Sequence, residues 1–332
     1  MNRPLVVKLG STLVLEDDVV EGRAADVATL VRDGASVCVV SSGAVALGLR
    51  SLGVERRPRS LPRLQAASAL GQPLLQRRWE DALAGHGVRS AQVLLTAAEI
   101  GDRRAYVNAR NTFHELQRIG VVPVVNENDA TATDEISFGD NDTLAAQVAI
   151  LVHAELLVLL TSVAGVLDAD AALIAEGTAA RGAVFGPGSA AGKGGMESKV
   201  AAAELAAAAG IPSVIASGRM PLPEVVAGGG TRFAARATGE SAFKLWLRFG
   251  KRVTGRLIVD EGAERAVRRR GSSLLAVGVV RCEGPVRAGD GIELCGLDGS
   301  PFGRGISALD ARELDQRPSN VEAVHRDRLI LY

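Results

Sequence analysis

The sequence predicts an α/β protein in two parts: an open, mostly parallel sheet sandwiched by helices, then a small β-rich barrel. Three observations predict it. Up to about residue 235, short β-branched runs alternate with longer Ala- and Leu-rich stretches. The short runs are apolar at nearly every position, as strands covered on both faces must be. A glycine-rich stretch at 227–243 then gives way to short strand-like pieces separated by Gly and Asp, the pattern of a compact β domain.

The elements follow in order. Residues 5–9, 36–40, 90–95, 121–125, 156–160 and 213–216 read as strands, with helices predicted over 19–33, 62–84, 103–119, 142–153 and 196–209. Strands are expected at 254–259, 273–280, 291–294, 303–307 and 321–325. These readings place a first domain at 1–238, a linker at 239–250 and a second domain at 251–332. Aromatic residues make up only 3% of the chain, so the core must be built from Ala, Val and Leu.

Charge and cysteine content exclude several function classes. Lys+Arg and Asp+Glu are equal at 38 each, so no global field draws the chain to nucleic acid or a membrane surface. The three cysteines are far apart and contain no CxxC, which suits reduced thiols in the cytoplasm. The four histidines are as scattered, arguing against a His-based metal site. The chain enters a strand at once, with no leader expected. Its longest apolar stretch, 144–160, is broken by Gln147, His153 and Glu155, so no membrane span is expected.

Four strand ends carry ligand-type chemistry. The first ends in Lys8-Leu9-Gly10-Ser11, joining a phosphate-compatible point charge to a glycine that permits close approach. The second ends in Ser41-Ser42-Gly43-Ala44, a strand–glycine–helix junction that suits an anion or a simple turn. The fourth opens into residues 126–142, which hold six carboxylates and three Asn. Such a cluster gains nothing from burial unless a cation, an ammonium group or a polar ligand binds it. The fifth ends in Thr161-Ser162-Val163. In a parallel sheet all four ends converge on one edge, where ligands bind. A glycine-rich loop, Gly192-Lys193-Gly194-Gly195-Met196-Glu197-Ser198-Lys199, leads into the helix after it. It is not a Walker A loop: the spacing from Gly188 is one residue short and the final Ser/Thr is missing. The loose GxGxxA at 186–191 follows no strand and is discounted.

Taken together, these motifs resemble the glutamate 5-kinases of the amino acid kinase superfamily. The resemblance runs through Lys8-Leu-Gly-Ser, Ser41-Ser-Gly-Ala, Gln65–Gln72, Ala91–Thr96 and Asp102–Thr112. It continues through Asn126-Glu-Asn-Asp129, Phe138–Asp142, Leu159-Leu-Thr161 and Gly194–Lys199. The tail resembles a PUA domain at 255–262, 270–275 and 323–327. The resemblance implies an amino acid kinase fold and transfer of the ATP γ-phosphoryl group to the side-chain carboxylate of L-glutamate, the first step of proline biosynthesis. It implies catalytic roles for Lys8, Lys199 and Asp142, and substrate contacts from Gly10, Ser42, Asp129, Asn141 and Asp140. Nucleotide contacts would come from Lys8, Thr161, Ser162, Gly192, Lys193, Gly194, Gly195, Met196 and Lys199. Mg²⁺ would ride on the ATP phosphates, with no dedicated protein ligands. L-Proline is the feedback inhibitor the family suggests, and a homo-oligomer (dimer or tetramer) its assembly.

Three departures fall on the nucleotide side. Ser162 replaces the usual Asp, Gly165–Ala172 lacks the family's Tyr, Pro and Arg, and the stretch leading to the glycine loop is about ten residues short of the family pattern. A weakened kinase kept as a regulator is therefore one alternative. RNA binding by the tail is the other, since residues 244–281 carry ten Lys/Arg against three carboxylates. The stretch has few aromatics, and Arg268–Arg270 reads more readily as a solvated helix face.

Overall fold

The computed structural model describes residues 4–96, 99–100, 103–131, 141–180, 195–236, 242–245, 247–248, 251 and 253–332, the side chains of 103, 242 and 245 excepted. Two compact units, 1–239 and 240–332, divide the chain.

The first unit runs β1 (Leu5–Leu9), α1 (Ser11–Val14), α2 (Asp17–Arg32), β2 (Val37–Ser41), α3 (Ala44–Ser51), α4 (Leu61–Ala84) and β3 (Arg89–Leu95). It continues with α5 (Arg103–Arg118), β4 (Val121–Glu127), α6 (Asn141–Leu151), β5 (Leu156–Thr161), α7 (Met196–Ala208), β6 (Ser213–Ser217), α8 (Leu222–Ala227) and β7 (Thr231–Phe233). The seven strands lie in the order β3-β4-β2-β1-β5-β6-β7. All pairings are parallel except β6 with β7. The predicted strands and long helices are all present. The short α1, α8 and edge strand β7 escaped the sequence patterns, being too brief to show a period.

Strand order locates the functional edge. The chain builds from β1 outward through β2 to β4 and β3, then returns to the opposite side of β1 at β5. The crevice at such a reversal, beyond the carboxyl ends, is where open α/β sheets bind ligands. β1 is central, and Lys8 pairs with Val40 on one side and Leu159 on the other.

The pleat then sorts side chains between faces. Leu5, Val7 and Leu9 join Val158, Leu160 and Val214 in a core closed by Val20, Ala24 and Val27 of α2 and by Leu75 and Trp79 of α4. Val6 and Lys8 point the other way. On that side lie α6, with every residue buried except Thr143, and the Ala-rich α7, whose small residues let it pack closely.

Helices α3 and α4 touch backbone to backbone. A Cβ on Gly71 would lie 1.7 Å from the Ala44 carbonyl oxygen, and one on Gly48 would lie 1.8 Å from that of Ala67. No methyl group fits there, so Gly71→Ala must push the helices apart. The expected result is a fall of about 5–10 °C in thermal midpoint, roughly 2–3 kcal/mol. A scanning-calorimetry midpoint within a degree of the parent would show that the contact is dispensable.

The second unit holds α9 (Ala242–Leu245), β8 (Val253–Val259), α10 (Glu261–Arg270), β9 (Leu274–Leu275), β10 (Val279–Glu283), β11 (Gly291–Cys295), β12 (Pro301–Ile306), α11 (Ala311–Asp315), β13 (Glu322–Val324) and β14 (Leu329–Leu331). The strands form a five-stranded sheet, β10-β8-β11-β12-β14, and a two-stranded ladder, β13-β9. One expectation needs correction. The strand expected over 273–280 is interrupted by a 3₁₀ turn at Ala276–Gly278. Within the segment expected as linker, Phe243 and Leu247 pack with Ile306 and Ile330 of this unit. The Arg248 guanidinium also donates to the Leu331 carbonyl at 3.0 Å, and Arg304 donates to the Arg248 carbonyl at 2.7 Å. The glycine-rich approach thus carries a short apolar anchor. No described helix is long and apolar enough to cross a membrane.

Candidate active site

The site forms at the carboxyl edge of the sheet, around one carboxylate. Asp142 lies in the first turn of α6, where a helix N-terminus favours negative charge, and it is fully buried. Lys8 Nζ lies 2.6 Å from Asp142 Oδ1, and Lys199 Nζ donates to Oδ2 at 3.1 Å. Both lysines are themselves buried, at 3% and 6% exposure. Burial acts to raise the Asp142 pKa, but the ammonium groups of Lys8 and Lys199 outweigh it and hold the carboxyl below its ordinary range. Asp142 is therefore ionised at neutral pH. Two buried ammonium groups gathered on one carboxylate bring cationic donors into a desolvated spot, an arrangement suited to an anion.

Gly10, two residues after Lys8, caps α1 with an extended backbone, and a Cβ there would lie 3.9 Å from Lys8 Nζ. Lys199 occupies the first turn of α7, whose N-cap Gly195 is also extended and offers no side chain to the orphan NH groups. Gly195 and Met196 thus stand at a helix N-terminus one turn from the lysine pair. Thr161, half-buried, ends β5, and Ser162 follows it, exposed.

A second cluster lies at the ends of β2 and β4. Asn141 Nδ2 donates to Ser42 Oγ at 3.0 Å and to Asn126 Oδ1 at 2.9 Å. Asn126 Oδ1 also accepts from the Glu127 NH at 2.9 Å. Gly43, with φ of +117°, makes the turn between β2 and α3 that a side chain would strain. Asp129 follows β4 and is 4% exposed. Its Oδ2 accepts from Ser68 Oγ at 2.9 Å. Among the described residues, Asp129 Oδ1 and Asn141 Oδ1 are buried acceptors without a hydrogen-bond donor.

Burial pushes the Asp129 carboxyl up to about 6, against the lowering effects of the Ser68 hydrogen bond and the Arg57 charge. Because the folded pKa lies above the unfolded one, the folded state binds the extra proton between about pH 4 and 6. Stability from this group therefore falls as pH rises through 6, and the ionised form costs on the order of 3 kcal/mol at pH 7. A buried carboxylate kept at that cost, with one oxygen unengaged among the described residues, suits an ammonium ligand.

Of the residues read from the sequence, Lys8, Gly10, Asp142 and Lys199 come together, as do Ser42 and Asn141, while Asp129 meets Ser68 of α4. Asp140, Gly192, Lys193 and Gly194 lie outside the described residues. Ser68, Asn126 and Gln72 were assigned no role from sequence. Gln72, one turn from Ser68 on α4, donates to the Glu127 carbonyl at 3.1 Å. The signal for that pair was a polar i, i+4 stripe between the buried Leu64 and Leu75. In the second unit, Arg265 pairs with Glu261 and Arg268 with Glu264, and Arg268 also stacks 5.1 Å from the Phe302 ring centroid. Two of the arginines considered for RNA contact are thus engaged within the unit.

Residues 3–217 match the model of the amino acid kinase family, and residues 255–323 that of the PUA domain. A glutamate 5-kinase from Burkholderia multivorans is 41% identical, covering 99% of this chain and 98% of the relative. One from Methylobacillus flagellatus is also 41% identical, covering 98% and 97%. These alignments extend over 364 positions against the 332 residues here, so the relatives carry segments that this chain lacks. Carbamate kinase from Giardia lamblia bound to AMP-PNP shares the fold, with a TM-score of 0.53 and 14% identity over 71% of this chain and 99% of that one.

Proposed function

The chain belongs to the amino acid kinase family and, within it, to the glutamate 5-kinases, and from that premise we propose how its residues divide the reaction. It phosphorylates the side-chain carboxylate of L-glutamate, giving L-glutamyl 5-phosphate, the opening reaction of proline biosynthesis. The acceptor is already ionised at pH 7, so no general base is needed. The work is to bring two anions together and stabilise charge on the moving group. The observation that carries the reading is the shared carboxylate: Lys8 and Lys199, 191 positions apart in the chain, meet on Asp142.

In this reading Lys8 and Lys199 hold the phosphates and Asp142 fixes both ammonium groups. Gly10 lets the acceptor approach Lys8. Ser42 and Asn141 take the glutamate carboxylate and backbone-like groups, Asp129 takes its α-ammonium, and Asp140 contributes from the adjoining loop. Thr161, Ser162 and the loop from Gly192 through Lys193, Gly194, Gly195 and Met196 to Lys199 hold the nucleotide. ATP supplies the phosphoryl group. Mg²⁺ would be carried by the phosphate oxygens and water. We assign residues 1–238 to catalysis and 251–332 to a PUA-like domain, in a homo-oligomer acting in the cytoplasm. L-Proline is its feedback inhibitor in this proposal.

A coupled assay of ADP release with L-glutamate, N-acetylglutamate and aspartate, with and without proline, tests the function. Turnover with glutamate is expected at about 1–100 s⁻¹, with the other acceptors far slower. Absence of glutamate-dependent release would leave the regulator reading standing instead.

The Asp129 assignment makes its own prediction. Below about pH 6 its carboxyl is protonated and cannot hold an ammonium group, so the kcat/KM for glutamate should fall roughly tenfold per pH unit there. Asp129→Asn should raise the glutamate KM by about 30-fold or more, as expected when one partner of a buried charge pair is truncated, and should leave ATP saturation alone. The variant should be no less stable, since it relieves a buried charge. Unaltered glutamate saturation would remove Asp129 from the substrate site.

A further inference from the structure

Ser68 has no assigned role, yet it is completely buried and its hydroxyl donates to Asp129 Oδ2 at 2.9 Å. It sits on the buried face of α4, one turn before Gln72, which ties down the Glu127 carbonyl two residues before Asp129. The Gly48 and Gly71 contacts clamp that stretch of α4 against α3, so the hydroxyl is presented from a rigid element rather than a loop. A carboxylate has two oxygens and rotates about one bond. Engaging Oδ2 from α4 leaves Oδ1, which has no donor among the described residues. We propose that Ser68 is a positioning residue of the glutamate site, fixing the Asp129 carboxylate so that Oδ1 faces the substrate's α-ammonium.

The inference rests on the reading that Asp129 takes that ammonium. It has a second consequence. A hydroxyl that donates to a carboxylate favours its ionised form, and this bond and the Arg57 guanidinium oppose the effect of burial at Asp129. Among the described residues, Arg57 is the charged group acting on it. Ser68 therefore also widens the pH range over which the site accepts an ammonium ligand.

The test is calorimetric titration of the full chain with L-glutamate from pH 5.5 to 8.5, for the parent, Ser68→Ala and Asp129→Asn. Ser68→Ala is expected to weaken glutamate about three- to tenfold near pH 6, part of what a hydrogen bond to a charged group contributes. The pH at which affinity is lost should move upward, and the deficit should narrow by pH 8.5, where Asp129 is ionised in both proteins. In steady-state kinetics the loss should fall on KM for glutamate rather than on kcat. A Ser68→Ala defect of equal size at every pH would mark a packing effect and overturn the proposal, as would a profile matching the parent. If Asp129→Asn also binds glutamate normally, the site reading fails with it. If Asp129→Asn weakens binding and Ser68→Ala does not, the proposal alone falls.

Discussion

Lys199→Ala is expected to lower glutamate-dependent turnover by about 10²–10³-fold, the effect of removing one preorganised stabiliser of transition-state charge. The fold should survive, and the reason is charge arithmetic. Lys8, Lys199 and Asp142 carry a net charge of +1 among them, all desolvated. Deleting Lys199 leaves the Lys8–Asp142 pair at 2.6 Å, so Asp142 keeps a counter-charge. What disappears is one of the positive charges that a phosphoryl group would meet. Single-turnover and steady-state rates, with a thermal midpoint close to the parent's, check this. Parent-like rates would show that Lys199 is only a buried structural cation.

Asp142→Asn should do the reverse. The substitution is nearly isosteric, so packing is kept, but two buried ammonium groups then lose the carboxylate they share. Breaking a buried ion pair by removing one partner typically costs about 3–5 kcal/mol. For a unit of this size that corresponds to a midpoint roughly 10 °C lower. The double variant Asp142→Asn with Lys199→Met should recover part of the loss, because it removes one of the repelling charges. The two substitutions should therefore be far from additive. An Asp142→Asn midpoint matching the parent's would mean that the lysines find other partners or lose a proton. The contrast is diagnostic: one residue of the triad costs rate when removed, and another costs stability.

The fold was legible wherever a pattern is long enough to repeat. The strands of the parallel sheet are continuous apolar runs, and α2, α4, α5, α6 and α7 lie within a residue or two of the predicted helices. What escaped was short or context-dependent. β14 is three residues near the chain end. α10 is set by Asp260, whose side chain accepts from the Ala263 NH at 2.8 Å, a cap that reads as one more turn residue in a Gly/Asp-rich stretch.

The sequence alone determined the residue types and the edge of the sheet on which they gather, because a strand's direction and apolar pattern decide where its last residues emerge. It also supplied Lys8, Asp142 and Lys199 as separate candidates. Only the tertiary structure decided their relation. That Asp142 lies between the two lysines follows from α6 and α7 packing side by side on the face of β1 opposite α2 and α4, a placement that no local spacing encodes. The same holds for Ser68, which is 61 residues from Asp129. It reaches that carboxylate because two glycines let α3 and α4 approach at backbone distance. Local propensity sets which elements form, whereas contacts distant in the chain depend on how their faces are buried against one another.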